Sequence, residues 1–157
     1  MTKGCGPVRE QVPAQMLVGR AMVAGQASGQ VLRLDEPLSF WGGLDPATGR
    51  IIDRRHPQVG QSVTDLVLVM PSGRGSSSGS STLCEAVRAG TGPAAILMGE
   101  PDEIIALGAV VADEIYGRLV PVVVLPADRF GDLPTSVRVE VSGAVCRVVA
   151  SGQTTSA

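Results

Sequence analysis

The sequence predicts an α/β domain of β/β/α build: a parallel βαβαβ unit with an additional β layer or half-barrel packed on it. Three observations carry this. The runs DLVLVM (65–70), PAAILM (93–98) and VPVVVL (120–125) are continuously apolar, as strands are when both of their faces are covered. The segments between those runs have helical periodicity, so strand–helix–strand–helix–strand follows, with parallel pairing and right-handed crossovers. The β-like runs at either end have no helices of their own and must supply the extra β layer.

Taken in order, residues 1–15 are polar with Gly and Pro and read as a flexible tail. The domain itself occupies 16–150, and 151–157 form a second tail. MLVGRAMVAG and GQVLRL read as two strands parted by the turn composition QASG. DEPLSFWGGLDPATGR is too rich in Pro and Gly for a regular element and reads as a loop with Trp41 as its anchoring indole. RIID reads as a short strand, and RRHPQVGQSV as another loop. Past a Ser-rich stretch, Leu83, Ala86 and Val87 recur at helical spacing with Cys84 on the inner face, and Gly90 provides the stop. PDEIIALGAVVADEIYG opens with Asp102 and Glu103 as helix N-terminal charges. Its Ile104, Leu107, Gly108, Val111 and Ile115 are expected to form the buried face. SVRVEV and VCRVV close the domain as an antiparallel pair.

Composition narrows the function. A chain of 157 residues that is 44% hydrophobic can fill one core and is not a disordered segment. The only aromatic residues are Phe40, Trp41, Tyr116 and Phe130, which leaves no platform for stacking bases. The net charge of −2, with no Lys/Arg run, argues against a nucleic-acid partner. Every basic residue except Lys3 is Arg, which is not the Lys/Glu bias of hyperthermophiles and reads as a mesophilic source. Cys5, Cys84 and Cys146 are dispersed, so neither a disulfide framework nor a complete metal site is expected. No apolar run reaches the length of a membrane span, the first residues lack the apolar stretch of a signal peptide, and the expected compartment is the cytoplasm.

The stretch PSGRGSSSGSS (71–81) lies between a buried strand and a helix. Backbone N–H groups at such a helix start, together with the dipole, favour an anion. The hydroxyls of Ser76, Ser77 and Ser78 add donors, and Arg74 offers a planar fork for a carboxylate or phosphate. Gly75 lets the backbone approach closely. No G-K-[ST] follows, so the loop is not a Walker motif, and it lacks the G-x-S-x-G form of a nucleophile elbow. Spacing leaves two readings open: an anion site, or a flexible surface loop ending in a helix cap.

GRGSSSGSSTL, preceded by PLSFWGGLDPATGRIIDRRHPQVGQSV and followed by PAAILMGEPDEIIALGAVVADEIYGRLVPVVVL, resembles the small subunit of the aconitase X family. The resemblance runs over roughly 16–150. It implies a swivelling domain that works with a larger, metal-bearing part in a hydro-lyase. It further implies that Ser76, the first Ser after G-R-G, is the proton-abstracting base, with Ser77 and Ser78 adjacent in register. Arg74, Gly75, Ser77 and Ser78 would bind substrate. No metal ligand set is expected in this chain, so the iron or iron–sulfur cluster implied by the resemblance would belong to the large subunit. Two substrates are familiar in the family: cis-3-hydroxy-L-proline, dehydrated to Δ1-pyrroline-2-carboxylate, and mevalonate 5-phosphate. Arg-rich composition and few basic residues near the loop favour the first. A binding module with no chemistry is the alternative of a different class.

Secondary candidates are Trp41, Gly42, Gly43 and Asp45, on a loop facing either substrate or the large subunit. His56, biased to an extended conformation by Pro57, is either an acid/base or a structural hydrogen-bonder. Arg54 and Arg55 are read as solvated or interfacial.

Overall fold

The computed structural model describes residues 16–142 and 145–150. The two predicted tails, Lys3 and Cys5 lie outside the described residues. Nine strands and three helices run in the order β1 (Leu17–Val23), β2 (Gly25–Arg33), α1 (Phe40–Gly43), β3 (Leu44–Asp45), β4 (Arg50–Ile51), β5 (Val67–Met70), α2 (Gly79–Ala89), β6 (Ala95–Met98), α3 (Glu103–Tyr116), β7 (Val122–Val124), β8 (Ser136–Ser142) and β9 (Val145–Ala150) among the described residues.

The predicted parallel unit is present: β5 pairs with β6 and β6 with β7, all parallel, with Val67 opposite Ala95 and Ile96 opposite Val122. The β-rich ends complete this sheet into a closed barrel, ordered β1-β7-β6-β5-β2-β8-β9 with β1 returning to β9. Closure removes the exposed strand edges that an open sheet would leave.

Alternation along the central strands divides the apolar residues between two cores. Val67, Val69, Ala95, Leu97 and Val123 meet Val137, Val139, Cys146 and Val148 inside the barrel. Leu68, Met70, Ile96, Met98 and Val122 point the other way, onto Leu83, Ala86, Ile105 and Ala109 of the helices. Both faces of β5, β6 and β7 are therefore dry, which is why their sequences are continuously apolar rather than alternating.

Three expectations need correction. QASG is not a turn: Gln26 to Gly29 lie within β2, paired in register with Glu140 to Val137. Gly29 is there because a Cβ would lie 2.8 Å from the Asp65 carbonyl oxygen, a close backbone approach rather than a reversal. The Pro/Gly-rich segment does contain regular structure, a kinked turn at Phe40–Gly43 and the small β3–β4 hairpin. Phe40 anchors it, with Trp41 60% exposed and Phe40 only 2%. Finally, α3 buries Ile105, Gly108, Ala109 and Ala112, while Leu107 and Ile115 face outward. Its small residues bring it close to α2: a Cβ on Gly108 would stand 2.7 Å from the Ser80 carbonyl oxygen. Close approach selected the small stripe over the bulky one.

Helix α2 follows its prediction, with Leu83, Ala86 and Val87 buried and Gly90 ending it at φ 78°. Cys84 is half-buried at the margin of the helix core rather than inside it. Among the described residues no helix is long and apolar enough to cross a membrane.

Candidate functional site

The Ser-rich loop leaves the C-terminal end of β5, where parallel sheets usually present their ligands. Its path is fixed by neighbours on both sides. The N–H groups of Gly99 and Glu100, beyond β6, donate to the Pro71 carbonyl at 3.0 and 3.1 Å. Gly73 forms a parallel bridge with Leu38. Gly75 has φ 98°, a conformation that favours glycine, and a Cβ there would collide with Ser39 Oγ.

At the start of α2 the backbone turns on itself: Gly79 N–H donates to the Ser76 carbonyl at 3.0 Å and Thr82 N–H to that of Ser78 at 3.2 Å. Ser78 is the N-cap residue, yet its hydroxyl makes no capping bond. Instead the Ser78 N–H donates to Ser76 Oγ at 3.2 Å. Ser80 Oγ donates to the Ser77 carbonyl at 2.9 Å. Of the consecutive serines, Ser76 therefore has its oxygen held as an acceptor at the positive end of the helix. A negative charge on that oxygen would be favoured by the donated N–H and by the dipole.

A cleft of about 190 Å³ opens beside this oxygen, lined by Gly73, Arg74, Gly75 and Ser76 from the loop, Phe40 from α1, and Asp102 with Ile104 and Ile105 from the start of α3. Ser76 and Arg74 are exposed to it. Arg74 Nη2 lies 3.5 Å from Asp53 Oδ2. Asp102 caps α3, its Oδ1 accepting from the N–H groups of Ile104 (2.9 Å) and Ile105 (3.1 Å). Its Oδ2 lies against Gly73, where any Cβ would collide with it. Asp102 is thus the helix-terminal charge its position predicted, and also a wall of the cleft. Sequence reasoning did not single out Asp53. No local pattern marks it, because its meeting with Arg74 is a product of the fold.

The structure brings Arg74, Gly75 and Ser76 together at the cleft, whereas Ser77 and Ser78, expected to bind substrate, are not among its lining residues. It does not bring the secondary candidates there. Trp41 is exposed, Gly42 has φ 77° in the kink of α1, and Gly43 is buried. Asp45 closes a local turn, accepting from Ala47 N–H at 3.0 Å and the Thr48 hydroxyl at 2.9 Å. His56 is 2% exposed. Its Nδ1 accepts from Gln58 N–H at 3.1 Å, so Nε2 carries the proton and donates to the Glu36 carbonyl, also at 3.1 Å. Both ring nitrogens are committed to holding the loop. Arg54 and Arg55 are exposed.

Among the described residues no three His, Cys, Asp or Glu side chains converge to hold a metal. Burial pushes the Cys146 thiol up to about 11, a protonated and unreactive state in the barrel interior. Burial also raises Cys84, helped by the neighbouring Glu85 carboxylate. Both shifts favour the protonated thiol over the thiolate.

Residues 16–149 match the family described as the aconitase X swivel domain. A cis-3-hydroxy-L-proline dehydratase of Pseudomonas aeruginosa is 50% identical over 120 residues, covering 76% of this chain and 20% of that protein. The chain thus spans about a fifth of that relative's length. A phosphomevalonate dehydratase small subunit of Methanothermobacter thermautotrophicus is 42% identical over 123 residues, covering 78% of this chain and 89% of the relative. The crystal structure of Thermococcus kodakaraensis aconitase X in its holo-form superposes with a TM-score of 0.74 at 35% identity, over 85% of this chain and 98% of that one.

Proposed function

The chain belongs to the aconitase X swivel-domain family, and from that premise we propose that it is the proton-abstracting part of a hydro-lyase that dehydrates cis-3-hydroxy-L-proline to Δ1-pyrroline-2-carboxylate. The observation that carries this reading is Ser76 Oγ, exposed at a strand-end cleft, accepting the Ser78 N–H at the start of α2. Free serine is a very weak acid, so a serine base needs its alkoxide stabilised. The donated N–H, the helix N-terminus and the nearby Arg74 act in that direction.

In this reading Arg74 grips the substrate carboxylate and sets the Cα–H bond against Ser76. The oxygen takes the proton, the released electron pair forms the Cα=Cβ bond, and the hydroxyl leaves from Cβ. The resulting enamine then tautomerises to the imine. The family resemblance implies an iron or iron–sulfur group held by a larger partner, which would supply the Lewis-acid chemistry that a leaving hydroxyl calls for. Gly75 and Gly73 border the same cleft, beside Arg74 and Ser76.

The 50% identical relative supports hydroxyproline as substrate. The alternative, the small subunit of a phosphomevalonate dehydratase, is supported by a relative of nearly this chain's length. Charge favours the first. Among the described residues lining the cleft, Arg74 is the sole cation, it is already paired with Asp53, and Asp102 faces the same space. A phosphate dianion would meet little compensating charge there. The deciding experiment co-expresses the chain with a metal-bearing large-subunit partner and assays the purified complex with both substrates. Dehydration of cis-3-hydroxy-L-proline alone supports the reading, and turnover of mevalonate 5-phosphate alone replaces it with the second. Ligand binding without turnover of either leaves the non-catalytic module.

A further inference from the structure

We infer that Asp53 is a positioning residue for the carboxylate grip of Arg74, an inference that rests on the dehydratase reading for its substrate. The guanidinium is a planar fork with donors along two edges. In this chain Nη2 faces Asp53 Oδ2 at 3.5 Å, while the side chain is 50% exposed and borders the cleft. The contact engages Nη2 and leaves other N–H donors of the guanidinium for a ligand. A flexible Arg on a Gly-flanked loop would otherwise lose rotamer entropy each time it bound a carboxylate.

Asp53 itself is well placed to act as a fixed post. Its Oδ1 accepts the Arg55 N–H at 3.0 Å and its carbonyl accepts the His56 N–H at 3.0 Å. The adjacent Ile52 N–H donates to the Gly43 carbonyl at 2.8 Å. Three residues after Asp53, buried His56 ties the same loop to Glu36 and Gln58. The post is therefore anchored through several bonds, whereas Arg74 has one contact of this kind among the described residues. An exposed ion pair of this sort contributes little to stability. Its consequence is orientation. His56, the solitary histidine, thereby gains a role at one remove, as an anchor of the loop that bears Asp53.

A double-mutant cycle in the reconstituted complex tests this, because a residue acting only through Arg74 has no effect once Arg74 is gone. With cis-3-hydroxy-L-proline as substrate, Asp53→Asn is expected to raise KM about tenfold with kcat changed less than about threefold, and Asp53→Glu to restore much of the loss. In an Arg74→Ala background Asp53→Asn is expected to change nothing further. Equal losses in both backgrounds, or no loss in either, overturn the inference. A second measurement is independent of turnover: the Arg74 Nε–H resonance of the full chain, ordered on the nanosecond scale in the wild type and mobile in Asp53→Asn. If the wild-type complex fails to dehydrate hydroxyproline, the hydroxyproline reading falls. The resonance then decides the Asp53 claim by itself, and an Arg74 equally mobile in both proteins refutes it.

Discussion

Ser76 and Cys146 show how position sets the chemistry of a small polar side chain. Ser76 Oγ is exposed and receives a backbone N–H at a helix start, a contact that would stabilise negative charge on that oxygen. Cys146 sits in the barrel interior, so its neutral form is favoured and its pKa rises from 9.0 to about 11. The sign of the linkage follows. The unfolded chain releases this proton at lower pH than the folded one, so Cys146 lowers stability as pH rises from about 9 to about 11. Urea titrations across that range should show a steeper alkaline loss for the wild type than for Cys146→Ala, although the variant starts less stable. Parallel loss in both would count against the buried thiol. Of the residues at the site, Arg74, Gly75 and Ser76 were legible because they are neighbours in one unusual stretch. Asp53 was not, because it joins Arg74 from a loop about 20 positions away.

At the scale of elements, the three central strands and both long helices were legible, since continuous apolar runs and 3.6-residue spacing report burial directly. What the pattern mistook was the face of α3. Apolar residues surround much of that helix, and hydrophobicity does not say which of two apolar stripes packs inward. Gly108 was read correctly, but Ile105, Ala109 and Ala112 pack inward beside it rather than Leu107 and Ile115, because close contact with α2 favours small side chains. The same kind of close approach, at Gly29, disguised a strand interior as a turn. The helix assignment predicts contrasting costs: Ile105→Ala, at 2% exposure, should lose about 2–5 kcal/mol, and Leu107→Ala, at 55%, less than about 0.5 kcal/mol. Chemical denaturation of the two variants checks this, and a larger loss for Leu107→Ala than for Ile105→Ala would restore the face first read from the sequence.

For the molecule as a whole, barrel closure was not legible: a half-barrel and a closed barrel have the same strand patterns, and only long-range pairing of β1 with β9 and β2 with β8 distinguishes them. Closure gives the Ser-rich loop and α1 a rigid base at one end of the domain. Trp41, 60% exposed beside that end, is a large apolar side chain without cover among the described residues. Tryptophan in such a position is the usual kind of interface anchor. Trp41→Ala should leave the thermal midpoint within about 2 °C while weakening the complex with the large subunit by at least about tenfold in a titration of purified chains. Unchanged affinity would move the interface elsewhere.

The central claim, that a serine of this loop is the base, is tested most directly by turnover of the reconstituted complex at saturating cis-3-hydroxy-L-proline with Ser76→Ala, Ser77→Ala and Ser78→Ala side by side. Ser76→Ala should lower kcat by at least about 100-fold, the contribution expected of a general base. Its stability should stay within about 0.5 kcal/mol of the wild type, because the hydroxyl is exposed. Ser77→Ala and Ser78→Ala should retain most of their activity. Loss at Ser77 or Ser78 with Ser76→Ala active would shift the base by a residue, and near-normal turnover in all three variants would contradict the account.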